Sequence, residues 1–178
     1  SILMRKTITS EIESSGIFDQ KGYKVWASVG KGGWAEIPWA AIFDLSLTDT
    51  LHHGIFVLYV FSADMQTLYL TVNQGSVTYF DQHSRKETNE HLKIIAESLI
   101  GTVDCNGFKT GPIDLKATSS VGRFLEIGCI FSIRYDINDL PDDDVLIADL
   151  KRAHTLCTET IDTAGQLGLD LAIPEKTP

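Results

Sequence analysis

Gly54-Ile55-Phe56-Val57-Leu58-Tyr59-Val60-Phe61 is short, almost wholly apolar, and rich in β-branched and aromatic side chains. A run of this length without alternation fits a central strand covered on both faces. Working outward, Ile37 to Phe43 is a second strand, with Ile37, Trp39, Ala41 and Phe43 on one face by the two-residue period. Tyr23 to Val29 is a third, separated from it by the break Gly30-Lys31-Gly32-Gly33. Trp26, on that strand, is read as core. On the other side, Thr67 to Val72 forms a strand that stops at Asn73-Gln74-Gly75.

The period then changes. Leu92, Ile95, Ala96 and Leu99 recur at helical spacing, predicting an amphipathic helix over residues 85–100 closed by Gly101. Residues 113–117 and 124–135 read as further strands. Pro141 opens a helix whose first turn holds Asp142 to Asp144 and whose buried stripe is Leu146, Leu150, Ala153 and Cys157. A short helix carrying Ile8 and Ile12 ends near Ser15. The whole chain, 1–178, is expected to be one α+β domain with a central, mostly antiparallel sheet flanked by helices.

Composition fits this picture: 43% hydrophobic and 22% charged residues are ordinary for a packed globular chain. No apolar run reaches the length of a membrane span. Ile2-Leu3-Met4 followed at once by Arg5-Lys6 has the wrong order for a signal peptide. Cys105, Cys129 and Cys157 are odd in number and far apart, which suits reduced thiols in a cytoplasmic protein better than a disulfide framework. The net charge of −9 works against phosphate binding. Its distribution is uneven, however. Asp142, Asp143, Asp144 and Asp149 crowd one C-terminal segment, whereas Glu36 is the single acid between Asp19 and Asp44, a stretch that holds Lys21, Lys24 and Lys31.

The most unusual segment is Gly30-Lys31-Gly32-Gly33-Trp34-Ala35-Glu36-Ile37-Pro38-Trp39. It lacks the later glycine, Lys and Ser/Thr of a phosphate loop, and a strand rather than a helix follows it, so it is not a dinucleotide fingerprint either. Read from the residues alone, it is either a glycine hairpin between core tryptophans or a binding loop. The histidines have no acidic or cysteine partners at ligand spacing, and no serine lies in a nucleophile-elbow context. No catalytic residue, metal or cofactor is expected.

The run GKGGWAEIPWAAIFD, followed by GIFVLYVFSADMQTLYLTVNQG and later by IRYDINDLPDDDVLIADL, is similar to the N-terminal domain family of McrB. The resemblance extends from about Lys21 to Leu150. It implies a non-enzymatic module that binds double-stranded DNA and, in the methylcytosine-reading members, swings the modified base out of the stack. It also implies a modification-dependent restriction or anti-phage system, whose GTPase or nuclease activity belongs to other domains or subunits. Base flipping needs a group to fill the gap and a pocket to receive the base. By the resemblance, the wedge loop is Lys31, Gly32, Gly33 and Trp34. Lys31 stands where reading members carry an aromatic, and Trp34 offers one nearby. The pocket is Trp39, Phe56 and Val60, with Phe and Val where the family has tyrosine and leucine. Lys21 and Lys24 are expected on the DNA backbone. 5-Methylcytosine is the default mark. The alternatives are a reader of another DNA modification, a protein-interaction module attached to a nuclease or GTPase, and a small hydrolase.

Overall fold

The computed structural model describes residues 2–29 and 36–175. β3 (Ile55–Phe61) lies inside a sheet that also contains β1 (Tyr23–Ser28), β2 (Trp39–Asp44), β4 (Thr67–Gln74), β5 (Lys109–Thr110) and β6 (Phe131–Asp136). The order is β1-β2-β3-β4-β6-β5, and every neighbouring pair is antiparallel. The helices are α1 (Ile2–Ser14), α2 (Val77–Phe80), α3 (Arg85–Ile100), α4 (Ser120–Ile127) and α5 (Asp143–Gln166). The fold is therefore α+β with an antiparallel sheet, as the strand pattern predicted.

Alternation along each strand sorts the side chains into two layers. On one face Val25, Ala27, Ala40, Ile42, Ile55, Val57, Leu70 and Val72 pack with α1, α3 and α5 into the larger core. On the other, Ala41, Phe43, Phe56, Leu58, Val60 and Tyr69 meet Ile37, Leu115 and Leu125. Both layers pass through β3, which accounts for its unbroken apolar sequence. α5 is fixed to the sheet by a polar contact as well: the Tyr135 hydroxyl donates to Asp149 Oδ2 at 2.7 Å, and Arg152 Nη1 donates to Asp149 Oδ1 at 3.1 Å. Cys129 and Cys157 are buried free thiols, and burial pushes both well above the ordinary thiol range.

Several expectations need correction. Residues 124–135 are not one strand, because Phe124–Ile127 belongs to α4 and β6 begins only at Phe131. The apolar run hid two punctuation marks. Ser119 accepts from Gly122 N at the helix start, and Gly128 N closes the end on Phe124 O at 2.7 Å. Residues 113–117 form no strand, and Lys116 within them turns to a positive φ of 53°. Leu115 O accepts from Ala63 N, and Leu115 N donates to the Glu126 side chain. β5 and α2 were not anticipated, and α5 begins at Asp143 with Pro141 outside it. β4 continues through Asn73 and Gln74, whose buried amides bond to the Leu125, Leu92 and Gly128 carbonyls. A glycine must follow. A Cβ at Gly75 would fall on the His53 backbone and within 2.6 Å of the Leu51 carbonyl oxygen.

Gly75→Ala should therefore lower stability by at least about 2 kcal/mol through backbone overpacking. Gly165→Ala, on α5 with open space around it, should raise stability by up to about 1 kcal/mol. Urea denaturation of the two variants checks both signs.

Candidate nucleic-acid interface

The second face of the sheet is not fully roofed over β1 and the start of β2, where Trp26 is exposed and Trp39 half-buried. Strand parity places Lys24 and Trp26 of β1 on the same side as Trp39 and Phe43 of β2, with Lys24 opposite Phe43 and Ser28 opposite Trp39. These side chains floor a cleft of about 580 Å³. Its far wall is apolar, formed by Leu51, Val77, Val121 and Leu125, and its polar lining is Asp49, Thr50, His52 and Ser76 together with Lys24. The two lips are exposed and apolar: Trp26 is 47% and Val121 48% accessible. Trp26 is thus not core, contrary to expectation. The signal was in the sequence, since it shares strand parity with Lys24, and a lysine marks the face that meets water.

The walls are held in place from outside the cleft. Thr78 N donates to His52 O at 3.0 Å, and His53 Nδ1 lies 3.0 Å from the Thr78 hydroxyl, tying the 49–53 turn to α2. The Tyr79 ring is sandwiched between His83 and His91, at centroid distances of 3.8 and 3.9 Å and nearly parallel to both. Burial lowers the pKa of His53 and of His91, which favours the neutral rings. Lys24 Nζ donates to Asp49 O at 3.2 Å and lies 5.5 Å from the Trp26 ring centroid.

A second fastening sits at the α4 end. The Glu36 carboxylate accepts from Thr118 N, from the Thr118 hydroxyl at 2.7 Å and from Ser119 N at 3.2 Å. Hydrogen bonding by the Ser119 side chain first, and then by the Thr118 backbone and hydroxyl, holds its pKa down to about 2. Glu36 thereby joins the approach to β2 to the start of the helix that supplies the Val121 lip. Ile37, next in sequence, is buried in the adjoining core.

The expected site residues are distributed unevenly around this cleft. Trp39 lines it, half-buried, and Lys24 lies at its edge. Phe56 and Val60 share the Trp39 face but are fully buried beneath it: Val60 is the cross-strand partner of Trp39, and Phe56 meets Phe43 edge-on at 5.5 Å. Neither is among the lining residues. Lys21 is exposed in the turn before β1. Lys31, Gly32, Gly33 and Trp34 lie outside the described residues. Sequence reading missed the 49–52 turn, Ser76 and the α4 lip, because turns and a short helix carry little periodic signal. Among the described residues, no cluster of His, Cys, Asp and Glu is arranged to hold a metal ion, and no helix is long and apolar enough to cross a membrane.

Compared with known families, residues 1–160 match the model described as "MrcB-like, N-terminal domain". The chain belongs to the MrcB-like N-terminal domain family. The match covers most of the chain and agrees with the resemblance carried by the three sequence blocks. Membership in the MrcB-like family is consistent with a DNA-binding module. Comparison with curated proteins gave no match.

The Glu36 fastening has a pH signature. Its folded-state value lies below the ordinary 4.5, so its stabilisation is complete above that range and is lost as pH falls toward 2. Glu36→Gln should cost about 1 kcal/mol at neutral pH, the usual worth of a helix cap. The stability gap to the wild type should narrow as pH falls from 4.5 toward 2. Thermal melts of both proteins across that window measure it.

Proposed function

We propose that this MrcB-like domain binds double-stranded DNA and recognises a modified base by receiving it, flipped from the stack, in the cleft beside Trp39. The observation that carries the reading is an open cleft with two indoles on its floor, placed where β2 emerges from the glycine-rich segment. Base–aromatic stacking contributes roughly 1–3 kcal/mol per base, which offsets much of the unstacking cost. Trp39 would stack on the base. Phe56 and Val60 would set the depth of the floor from beneath, through Phe43 and Trp39, so their sizes tune which substituent fits. Lys31, Gly32, Gly33 and Trp34 would serve as the wedge loop, with Lys21 and Lys24 on phosphates. 5-Methylcytosine remains the default mark.

The wider role follows from the same reading. The domain supplies specificity in a modification-dependent restriction or anti-phage system, and a GTPase or nuclease domain or subunit supplies the chemistry. A chain with net charge −9 has to make its phosphate contacts locally, so affinity should depend on a few lysines rather than on a broad basic surface.

Binding to duplex DNA should weaken steeply between low and moderate salt, and Lys24→Ala should weaken it for all sequences alike. Trp39→Ala should remove discrimination between modified and unmodified duplexes, and a 2-aminopurine placed at the target should lose its emission rise. A folded Trp39→Ala variant that still discriminates would place the pocket elsewhere. Absence of binding at low salt would sink the DNA reading itself.

A further inference from the structure

The floor of the cleft is aromatic and can stack on any base, so stacking alone does not choose among bases. The choice must come from polar groups that meet the hydrogen-bonding edge. Two are suitably placed. Ser76 lines the cleft although its side chain is almost wholly buried, at 3% exposure, and it makes no capping bond to α2. No hydrogen bond of its hydroxyl is found among the described residues. Asp49 lines the same cleft, and its backbone carbonyl, not its side chain, takes the Lys24 ammonium. The support behind both is rigid. Gly75 leaves no room for a Cβ against His53, and the His52 carbonyl is bonded to Thr78 N.

These two groups have complementary chemistry. An ionised carboxylate only accepts, whereas a hydroxyl both donates and accepts. We infer that Asp49 and Ser76 together read the edge of the base in the cleft and select an exocyclic amine beside a ring-nitrogen acceptor, the arrangement shared by cytosine and adenine. The amine donates to the Asp49 carboxylate, a pairing known for acidic side chains and the cytosine amine. The Ser76 hydroxyl donates to the ring nitrogen. Thymine places a carbonyl oxygen where the amine would be and an N–H where the acceptor would be. Its oxygen then faces the carboxylate, which loses its bond, while the Ser76 hydroxyl can turn to accept from the N–H, so the discrimination falls on Asp49. A site built around such a donor rejects the analogue lacking it more strongly than an apolar pocket rejects a change of shape. This inference rests on the base-pocket reading above and adds which groups decide the base.

The test uses duplexes of one sequence carrying a single bulged target nucleotide: cytosine, 5-methylcytosine, adenine or thymine. The wild-type chain should prefer the amino-bearing targets over thymine by about ten- to a hundredfold, as expected when hydrogen bonds to a charged group are lost. Asp49→Asn can donate to the thymine oxygen, and Ser76→Ala removes the hydroxyl. Asp49→Asn should reduce the preference to a few-fold, and Ser76→Ala should weaken binding of all four targets. The cytosine and adenine arms separate the two sources of the same edge. If Trp39→Ala abolishes base preference but Asp49→Asn keeps the wild-type ratio and Ser76→Ala leaves binding of the four targets unchanged, edge reading by these residues is overturned and the pocket reading stands. If the wild type treats all four targets alike, both fall. Should Ser76→Ala fail to fold, Asp49→Asn decides alone, because that residue is exposed and its carbonyl bond to Lys24 survives the change.

Discussion

Nearly every residue of β3 needs apolar partners on both sides of the sheet, and the two sides meet that need with unequal material. One side has α5, whose 24 residues span about 36 Å at 1.5 Å per residue, enough to cross the full width of the sheet. The other has α4, with 8 residues and a span of about 12 Å, and the irregular segment through Leu115. That smaller roof covers Phe56, Leu58 and Tyr69 but stops short of β1. The uncovered strip is where Trp26 and Trp39 lie exposed or half-exposed, and the cleft follows directly from the short roof.

An incompletely roofed face would ordinarily be a liability, since exposed apolar area invites association. Here the strip is bounded by fixed walls. Histidine contacts hold α2, Gly75 lets the β4 end press against the 49–53 turn, and Glu36 joins the approach to β2 to the start of α4. None of these contacts lies on the cleft floor. Each one positions a wall from behind, so the cleft has its shape before any ligand arrives, and binding then loses less to ordering.

The electrostatics point the same way. The strongly acidic residues gather at the start of α5, where Asp143 and Asp144 complement the helix dipole. The cleft keeps one lysine at its edge and one aspartate in its lining. A strongly acidic chain of this kind gains little from long-range attraction to nucleic acid. Whatever selectivity it has must come from contacts made inside the cleft, which is why the few polar groups there carry such weight.

The sequence by itself determined the first four strands. Their two-residue and unbroken apolar patterns are local consequences of which faces are buried, and that pattern placed β1 to β4 and put Trp39, Phe56 and Val60 on one face. It also determined α3, through helical spacing and a closing glycine, and the family, through three blocks in order. Only the tertiary structure decided which members of that face are covered. Phe56 and Val60 lie under the short roof and Trp26 lies beyond it, although all three read alike as apolar strand residues. The reason is that burial depends on what packs above a strand, and here that is Leu115 and Leu125, dozens of residues downstream, in a segment whose irregular stretch and eight-residue helix leave too little periodicity to be read. Ser76 and Asp49 were hidden for the same reason, because a turn acquires a facing direction only once the strands on either side of it are in place.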